Sequence, residues 1–312
     1  MPAERDVSTG SVPADLQTCH PRRLAEPRTR AGRAALAAML ADPVRALLAT
    51  DFDGVLAPIV DDPDRAAAHP RAADVLGRLA GRLGGIAVVT GRPVRQVLEL
   101  GGFEGATGLD ELRVLGQYGV ERWDARTGTD SPPPPAGIAV ARERIATLLA
   151  DHGLAAVRVE DKGRALGLHL RHTTDPVLAM RCLREPLDAL AAELDLRVEP
   201  GKHVLELRAT GADKGVALES LLAAGALDAH VDVVAYAGDD LGDAAAYDAV
   251  ERHRTAGGRG LLIWSAAPEP TDETCELAAR ADLVLDGPEG VVGWLDALAD
   301  QLDGAGTSEG GR

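Results

Sequence analysis

Short, continuously apolar runs recur along this chain, separated by stretches with helical spacing, and that alternation restricts the fold more than any other feature. Ala46-Leu47-Leu48-Ala49-Thr50, Ile86-Ala87-Val88-Val89, Val233-Val234-Ala235-Tyr236-Ala237, Leu261-Leu262-Ile263-Trp264 and Leu283-Val284-Leu285 each have the length of a strand. A strand that is apolar on both sides must be covered on both faces. Between these runs, 71–83 places Val75, Leu76 and Leu79 at helical spacing, and further helical patterns fall at 214–224, 243–252 and 290–302. In the segment 214–224, Val216, Leu218, Leu221 and Leu222 are expected to face inward. Strands and helices in alternation predict an α/β core, Rossmann-like, with a parallel sheet between two helical layers.

The middle of the chain breaks this pattern. Ser131-Pro132-Pro133-Pro134-Pro135 is a stiff breaker suited to the surface. Beyond it lie helical stretches at 138–152 and 176–194, and strands whose apolar residues alternate. Leu166, Leu168 and Leu170 share one face, as do Leu205 and Leu207, and Val157 and Val159; Glu160, His169, Arg171 and Glu206 fall on the opposite one. Period-two alternation marks a sheet with one buried and one open face. The chain therefore divides into a core at 33–122 and 209–302 and an inserted α+β domain at 123–208. Residues 1–32 and 303–312 lack periodicity and are expected to be disordered.

Composition removes several classes of function. A formal net charge of −16 repels nucleic acid and anionic membranes. It also repels phosphate esters at long range, so a site for one must carry its own cations. No apolar run reaches the roughly 18 residues of a membrane span, and the N-terminus lacks the apolar segment of a secretory signal. Cys19, Cys182 and Cys275 are too few and too scattered for a disulfide framework or a zinc site, which points to a reducing cytoplasm.

Four polar motifs follow the apolar runs. Asp51-Phe52-Asp53-Gly54 comes directly after the first. Active sites of open α/β sheets lie beyond the carboxyl ends of the strands. Two carboxylates there can divide the work of phosphoryl transfer, one attacking phosphorus and the other handling the leaving-group proton. Facing a phosphate, they need a cation, and Mg²⁺ suits carboxylate, phosphate and water oxygens. Thr90-Gly91-Arg92 follows the second run and offers a hydroxyl and a helix start for a phosphate oxygen. Lys214 opens an apolar helix, where an ammonium opposes the helix dipole unless an anion lies nearby. Gly238-Asp239-Asp240-Leu241-Gly242-Asp243 follows the third run; Asp239 is a candidate third metal ligand assisted by Asp240, and Asp243 a candidate helix cap. Singly, each motif also fits a plain turn, cap or exposed lysine. In this order they supply nucleophile, acid/base, hydroxyl, cation and metal ligands together.

That order resembles the haloacid dehalogenase superfamily of phosphohydrolases over about 47–302. Asp51 to Val60 (DFDGVLAPIV), with Pro58 after the turn, looks more narrowly like trehalose-6-phosphate phosphatases. So do Gly116-Gln117-Tyr118-Gly119-Val120-Glu121, Val159-Glu160-Asp161-Lys162 and Gly201-Lys202-His203-Val204-Leu205-Glu206-Leu207-Arg208. The resemblance implies a haloacid-dehalogenase core with an inserted cap of the C2 type. It implies a Mg²⁺-dependent phosphomonoester hydrolase with Asp51 as nucleophile, Asp53 as general acid/base, and Thr90 and Lys214 on the phosphoryl group. Asp51, Asp239, Asp240 and the carbonyl of Asp53 would hold Mg²⁺. Gly91, Arg92, Tyr118, Glu121, Glu160, Lys162, Arg171 and Glu206 would bind substrate. Tyr118 stands where the family often has His, Gly242 where it often has Thr, and 169–171 reads HLR in place of HYR. The expected substrate is trehalose 6-phosphate. A phosphatase of sucrose phosphate or mannosylglycerate phosphate, and a catalytically silent sugar-phosphate sensor, stay open, as does the oligomeric state.

Overall fold

The computed structural model describes residues 24–308, apart from 202, 224–226, 228–229 and 268–270. The first stretch runs α1 (Arg30–Ala41), β1 (Ala46–Thr50), α2 (Ala72–Ala80), β2 (Gly85–Val89), α3 (Val94–Gly101), β3 (Leu112–Gly116), β4 (Glu121–Asp124) and β5 (Gly128–Asp130). The middle stretch runs α4 (Ala136–Asp151), β6 (Arg158–Asp161), β7 (Ala165–His169), α5 (Pro176–Glu193), β8 (Leu196–Gly201) and β9 (Val204–Ala209). The last runs α6 (Lys214–Leu222), β10 (Val233–Gly238), α7 (Ala244–Thr255), β11 (Arg259–Ser265), α8 (Asp272–Arg280), β12 (Leu283–Leu285) and α9 (Gly287–Ser308).

The large sheet has eight strands in the order β12-β11-β10-β1-β2-β3-β4-β5. Pairing is parallel from β12 to β3 and antiparallel from β3 to β5. From β1 the chain builds outward to β2 and β3 on one side; later it builds from β10 to β11 and β12 on the other. The connections therefore diverge beside β1, which opens a crevice at the carboxyl ends of β1 and β10. Alternate residues feed two apolar layers. Leu48, Val88, Ala235 and Ile263 pack with Met39 of α1, Leu76 of α2 and Leu298 of α9. Leu47, Val89, Val234 and Leu262 pack with Leu218 of α6 and Tyr247 of α7. Among few aromatics, Tyr236, Tyr247 and Trp264 stack edge to face at 6.2 and 6.5 Å.

A second, fully antiparallel sheet has the order β6-β7-β9-β8. Leu166, Leu168, Leu205 and Leu207 pack with Ile145 of α4 and Leu187 of α5 in a cluster of their own. We propose that this unit is the cap, joined to the large sheet through the exposed prolines before α4 and the turn after β9; its separate apolar cluster supports that division.

The structure departs from the expected boundaries at several points. β4 and β5 belong to the large sheet, so the insert does not begin at Trp123; the edge hairpin pairs back onto β3. Residues 24–32 are not a loose arm. Leu24 is buried in the core, the Arg28 Nε donates to the Ala281 carbonyl at 2.9 Å, and the Trp294 indole donates to the Ala25 carbonyl at 3.0 Å. The rest of the expected arm, 1–23 including Cys19, lies outside the described residues. Nor does order stop at 302, because α9 continues to Ser308 and Asp303 accepts from Arg78 at 2.8 Å and Arg82 at 2.9 Å. Val216 is 51% exposed, since α6 turns only its Ala217–Leu218–Leu221 side to the core. Cys182 and Cys275 are free, and among the described residues no helix is long and apolar enough to cross a membrane.

Candidate active site

Asp51 is the first residue beyond β1. Its N–H donates to the Ala237 carbonyl at 2.8 Å, so the backbone stays fastened to β10. The side chain is only 5% exposed. Its Oδ1 accepts the Phe52 N–H at 2.6 Å and its Oδ2 accepts the Lys214 ammonium at 2.6 Å. Lys214, 3% exposed, is the first residue of α6, whose start is capped by Asp213 accepting the Val216 N–H at 2.8 Å. The same ammonium donates to Asp243 Oδ1 at 2.8 Å. An ammonium at a helix start opposes the dipole; here two carboxylates offset that cost.

Asp243 anchors the whole arrangement. Expected as a cap for α7, it makes no side-chain capping bond to that helix; it is fully buried and bonds the turn before it instead. Oδ1 also accepts the Tyr236 hydroxyl at 2.7 Å, and Oδ2 accepts the N–H groups of Asp239 at 2.9 Å and Asp240 at 3.2 Å. That ties the β10 turn to β10 itself and to Lys214. Asp240 closes the turn by accepting the Gly242 N–H at 2.8 Å.

Ligand atoms of Asp51, Asp239, Asp240 and Asp243 all lie within 4.8 Å of one another. Burial holds the Asp51 carboxyl well above the usual carboxylate range; Lys214 opposes this, while Asp243 and Asp240 reinforce it. Burial also raises Asp239, and the Asp240 carboxylate beside it adds to the effect. Burial would lower Lys214, but Asp243 and Asp51 outweigh it and keep the ammonium charged. Four carboxylates around one ammonium leave surplus negative charge. An all-oxygen donor set of this kind fits a hard divalent cation. The turns meet this closely because residue 54 is glycine: φ is +70°, and a Cβ there would lie 1.9 Å from Asp239 Oδ2.

Thr90, Gly91 and Arg92 stand at the end of β2. Thr90 is buried, and its hydroxyl oxygen accepts the Arg92 N–H at 3.2 Å. A Cβ on Gly91 would lie 2.9 Å from the Tyr118 ring. Tyr118 adopts a left-handed backbone, φ 60°, and its ring lies under the Arg208 guanidinium at 4.1 Å. Burial, followed by the Glu206 carboxylate, pushes its hydroxyl pKa well up. Arg92, expected to meet substrate, instead pairs with Asp53. Glu121, expected likewise, accepts the Val94 N–H at 2.8 Å and so caps α3.

On the open face of the small sheet, Glu160 bonds His169 at 2.8 Å, and Lys162 pairs with Glu206. Glu206 is 6% exposed, and its Oε1 is buried without a hydrogen bond among the described residues. The two units touch here. The Gln117 amide donates to the Lys162 carbonyl at 2.7 Å. Burial would lower Lys162, but Glu206 and Glu160, with Asp53 behind them, hold it above its ordinary pKa; the bond to His169 lowers Glu160 against burial, with Lys162 and Arg92 adding to it. Arg171 lies apart, exposed, donating to Asp61 at 3.2 Å. Asp51, Lys214, Asp239 and Asp240 thus converge with Asp53 and Thr90 nearby, and Glu160, Lys162 and Glu206 stand across from them; Arg171 and Glu121 do not join. Sequence reasoning missed the role of Asp243. The signal available was its place four residues after Asp239, beyond a strand that buries Tyr236.

The chain is similar to several known proteins. A family profile described as trehalose-phosphatase matches residues 49–274. A protein of Sinorhizobium fredii named a probable trehalose-phosphate phosphatase is 30% identical over 257 residues, covering 82% of this chain and 91% of its own. The trehalose-phosphate phosphatase of Mycobacterium bovis is 31% identical over 264 residues, covering 81% of this chain, which spans 61% of that protein's length. The C-terminal domain of the C. albicans trehalose-6-phosphate phosphatase superposes with a TM-score of 0.68 at 20% identity, over 89% of this chain and 99% of that one, and so shares the fold. A haloacid dehalogenase-like hydrolase from Bacteroides thetaiotaomicron shares the α/β fold as well, with a TM-score of 0.52 at 14% identity, over 83% of this chain and 99% of that one. With the profile spanning most of both sheets, and with a relative of this identity aligned nearly end to end, the chain belongs to the trehalose-phosphatase family.

Proposed function

We propose that the protein is a cytoplasmic, Mg²⁺-dependent phosphatase of trehalose 6-phosphate that works through an aspartyl-phosphate on Asp51. The observation that most supports this reading is the buried 2.6 Å contact between Asp51 Oδ2 and Lys214, set among three further carboxylates at the sheet's carboxyl edge. The names of the relatives add the substrate.

In this reading the Asp51 carboxylate attacks phosphorus and the bond from phosphorus to the sugar oxygen breaks. Asp53 gives its proton to that oxygen, releasing the sugar. It then takes a proton from a water, whose oxygen attacks the phosphorus of the aspartyl-phosphate; inorganic phosphate leaves and Asp51 is restored. Lys214 and the Thr90 hydroxyl hold the phosphoryl oxygens. Mg²⁺ would sit on Asp51, Asp239, Asp240 and the Asp53 carbonyl, where its chemistry is to neutralise the charge gathered between phosphate and carboxylates. Glu160, Lys162 and Glu206 meet the sugar hydroxyls, each of which donates and accepts. Arg171 joins them only by leaving Asp61.

The test is phosphate release over a panel of sugar phosphates, with Mg²⁺ and with chelator. Trehalose 6-phosphate should be turned over fastest, and only with the metal. Glu206→Ala should lower kcat/KM for it far more than for a small generic ester. Equal effects on both would mean that the small sheet does not read a disaccharide, and turnover in chelator would remove the metal from the account.

A further inference from the structure

The Asp53–Arg92 ion pair is the feature that this reading does not use. Arg92 is 8% exposed and offers its guanidinium in a fork: Nε donates to Asp53 Oδ2 at 2.6 Å and Nη2 to Oδ1 at 2.7 Å. The third nitrogen, Nη1, donates to the Pro63 carbonyl at 2.9 Å, and the guanidinium lies 5.8 Å from the centre of the Phe52 ring. The turn carrying Pro63 is itself pinned to α3, because the Gln96 amide donates to Asp64 at 2.8 Å. The same turn meets the small-sheet unit through Asp61 and Arg171.

A bidentate fork fixes both the position and the plane of a carboxylate, which a single lysine contact does not. The more demanding of Asp53's two proton transfers is to present a proton along the line of the departing oxygen, and misplacing such a group by about 1 Å is costly. We propose that Arg92 is the positioning residue for Asp53: held by Pro63 and Phe52, it sets where the acid/base stands and does not itself hold the sugar phosphate. The inference rests on Asp53 being the acid/base in the proposed function.

Leaving-group dependence separates this from a structural role. A sugar alkoxide cannot leave without a proton, whereas p-nitrophenolate can. First-turnover release of alcohol is measured by rapid quench for p-nitrophenyl phosphate and for the fastest sugar phosphate of the panel, in wild type, Arg92→Ala and Arg92→Lys. Thermal melting of each protein is followed in parallel. Arg92→Ala should slow the sugar ester on the order of 100-fold, the scale of general-acid catalysis, and at least about tenfold more than the nitrophenyl ester. Arg92→Lys, which keeps the charge but not the planar fork, should recover part of the difference. In an Asp53→Asn background, Arg92→Ala should leave the ratio between the esters unmoved. Equal loss on the two esters, or a further change of ratio without Asp53, overturns the inference while leaving the phosphatase reading intact. A wild type inactive on every ester sinks both.

Discussion

Asp243→Asn probes the part of the site that spacing alone did not reveal. The two carboxylate oxygens take four bonds, from Lys214, the Tyr236 hydroxyl and the Asp239 and Asp240 N–H groups, with no exposure to water. An asparagine has one carbonyl oxygen. If it keeps Lys214 and Tyr236, its amide points N–H groups at two backbone N–H donors. A buried donor left without a partner costs about 1–3 kcal/mol; these two are only partly buried, so together they cost about 1–3 kcal/mol. The loss of one anion beside Lys214 adds to this, since breaking a buried ion pair is destabilising. Against it, removing Asp243 relieves one of the repulsions that raise Asp51. A net loss of about 3 kcal/mol is expected, a large fraction of the roughly 5–15 kcal/mol that typical domains possess. Urea unfolding of the metal-free protein, followed by tryptophan fluorescence, should show a lower midpoint with an unchanged slope. Phosphate release should fall with it, because the Asp239 and Asp240 turn loses its tether. A loss below about 1 kcal/mol would refute the reasoning, since the four bonds would then not be what holds the turn.

Three further outcomes follow from individual contacts. Gly54→Ala forces a side chain into a left-handed backbone with its Cβ 1.9 Å from Asp239 Oδ2, so the protein should lose about 2–3 kcal/mol in urea unfolding and most of its phosphate release. Asp51→Asn should release no phosphate yet melt within a few degrees of wild type, because burial already disfavours the charged carboxylate and Asp243 still pairs Lys214. Arg78→Ala removes contacts from α2 to Asp296, Asp300 and Asp303 on α9, at 2.9, 2.7 and 2.8 Å, and should cost about 1–2 kcal/mol in thermal unfolding without changing KM.

The parts of the fold that were legible in the sequence are those where burial alone decides. β1, β2 and β10 are apolar on both faces, and the leucines of β7 and β9 alternate because only one side of the small sheet is covered. Edge elements were not legible. β4 reads Glu-Arg-Trp-Asp and β5 is fully exposed, so pairing to a neighbour, not hydrophobicity, makes them strands; β8 offers only the short alternation of buried Leu196 and Val198 before Pro200. Residues 24–32 have a loop's composition, yet Arg28 and Thr29 are held by bonds to Ala281 and Asp282 some 250 positions away. In the site, strand-end placement located Asp51, Thr90 and Asp239, and an ammonium at a helix start located Lys214. It did not say where the long side chains turn: Arg92 toward Asp53, Glu121 toward the start of α3, Arg171 toward Asp61. Those directions depend on contacts between elements far apart in the chain.

The claim on which the rest depends is that phosphorus becomes bonded to Asp51. Wild-type protein mixed with excess trehalose 6-phosphate and Mg²⁺, quenched in acid within one turnover and digested, should yield a peptide spanning Asp51 that carries one phosphoryl group, and the label should vanish in Asp51→Asn. A label on any other residue, or turnover with no phosphorylated peptide at any quench time, would contradict the account.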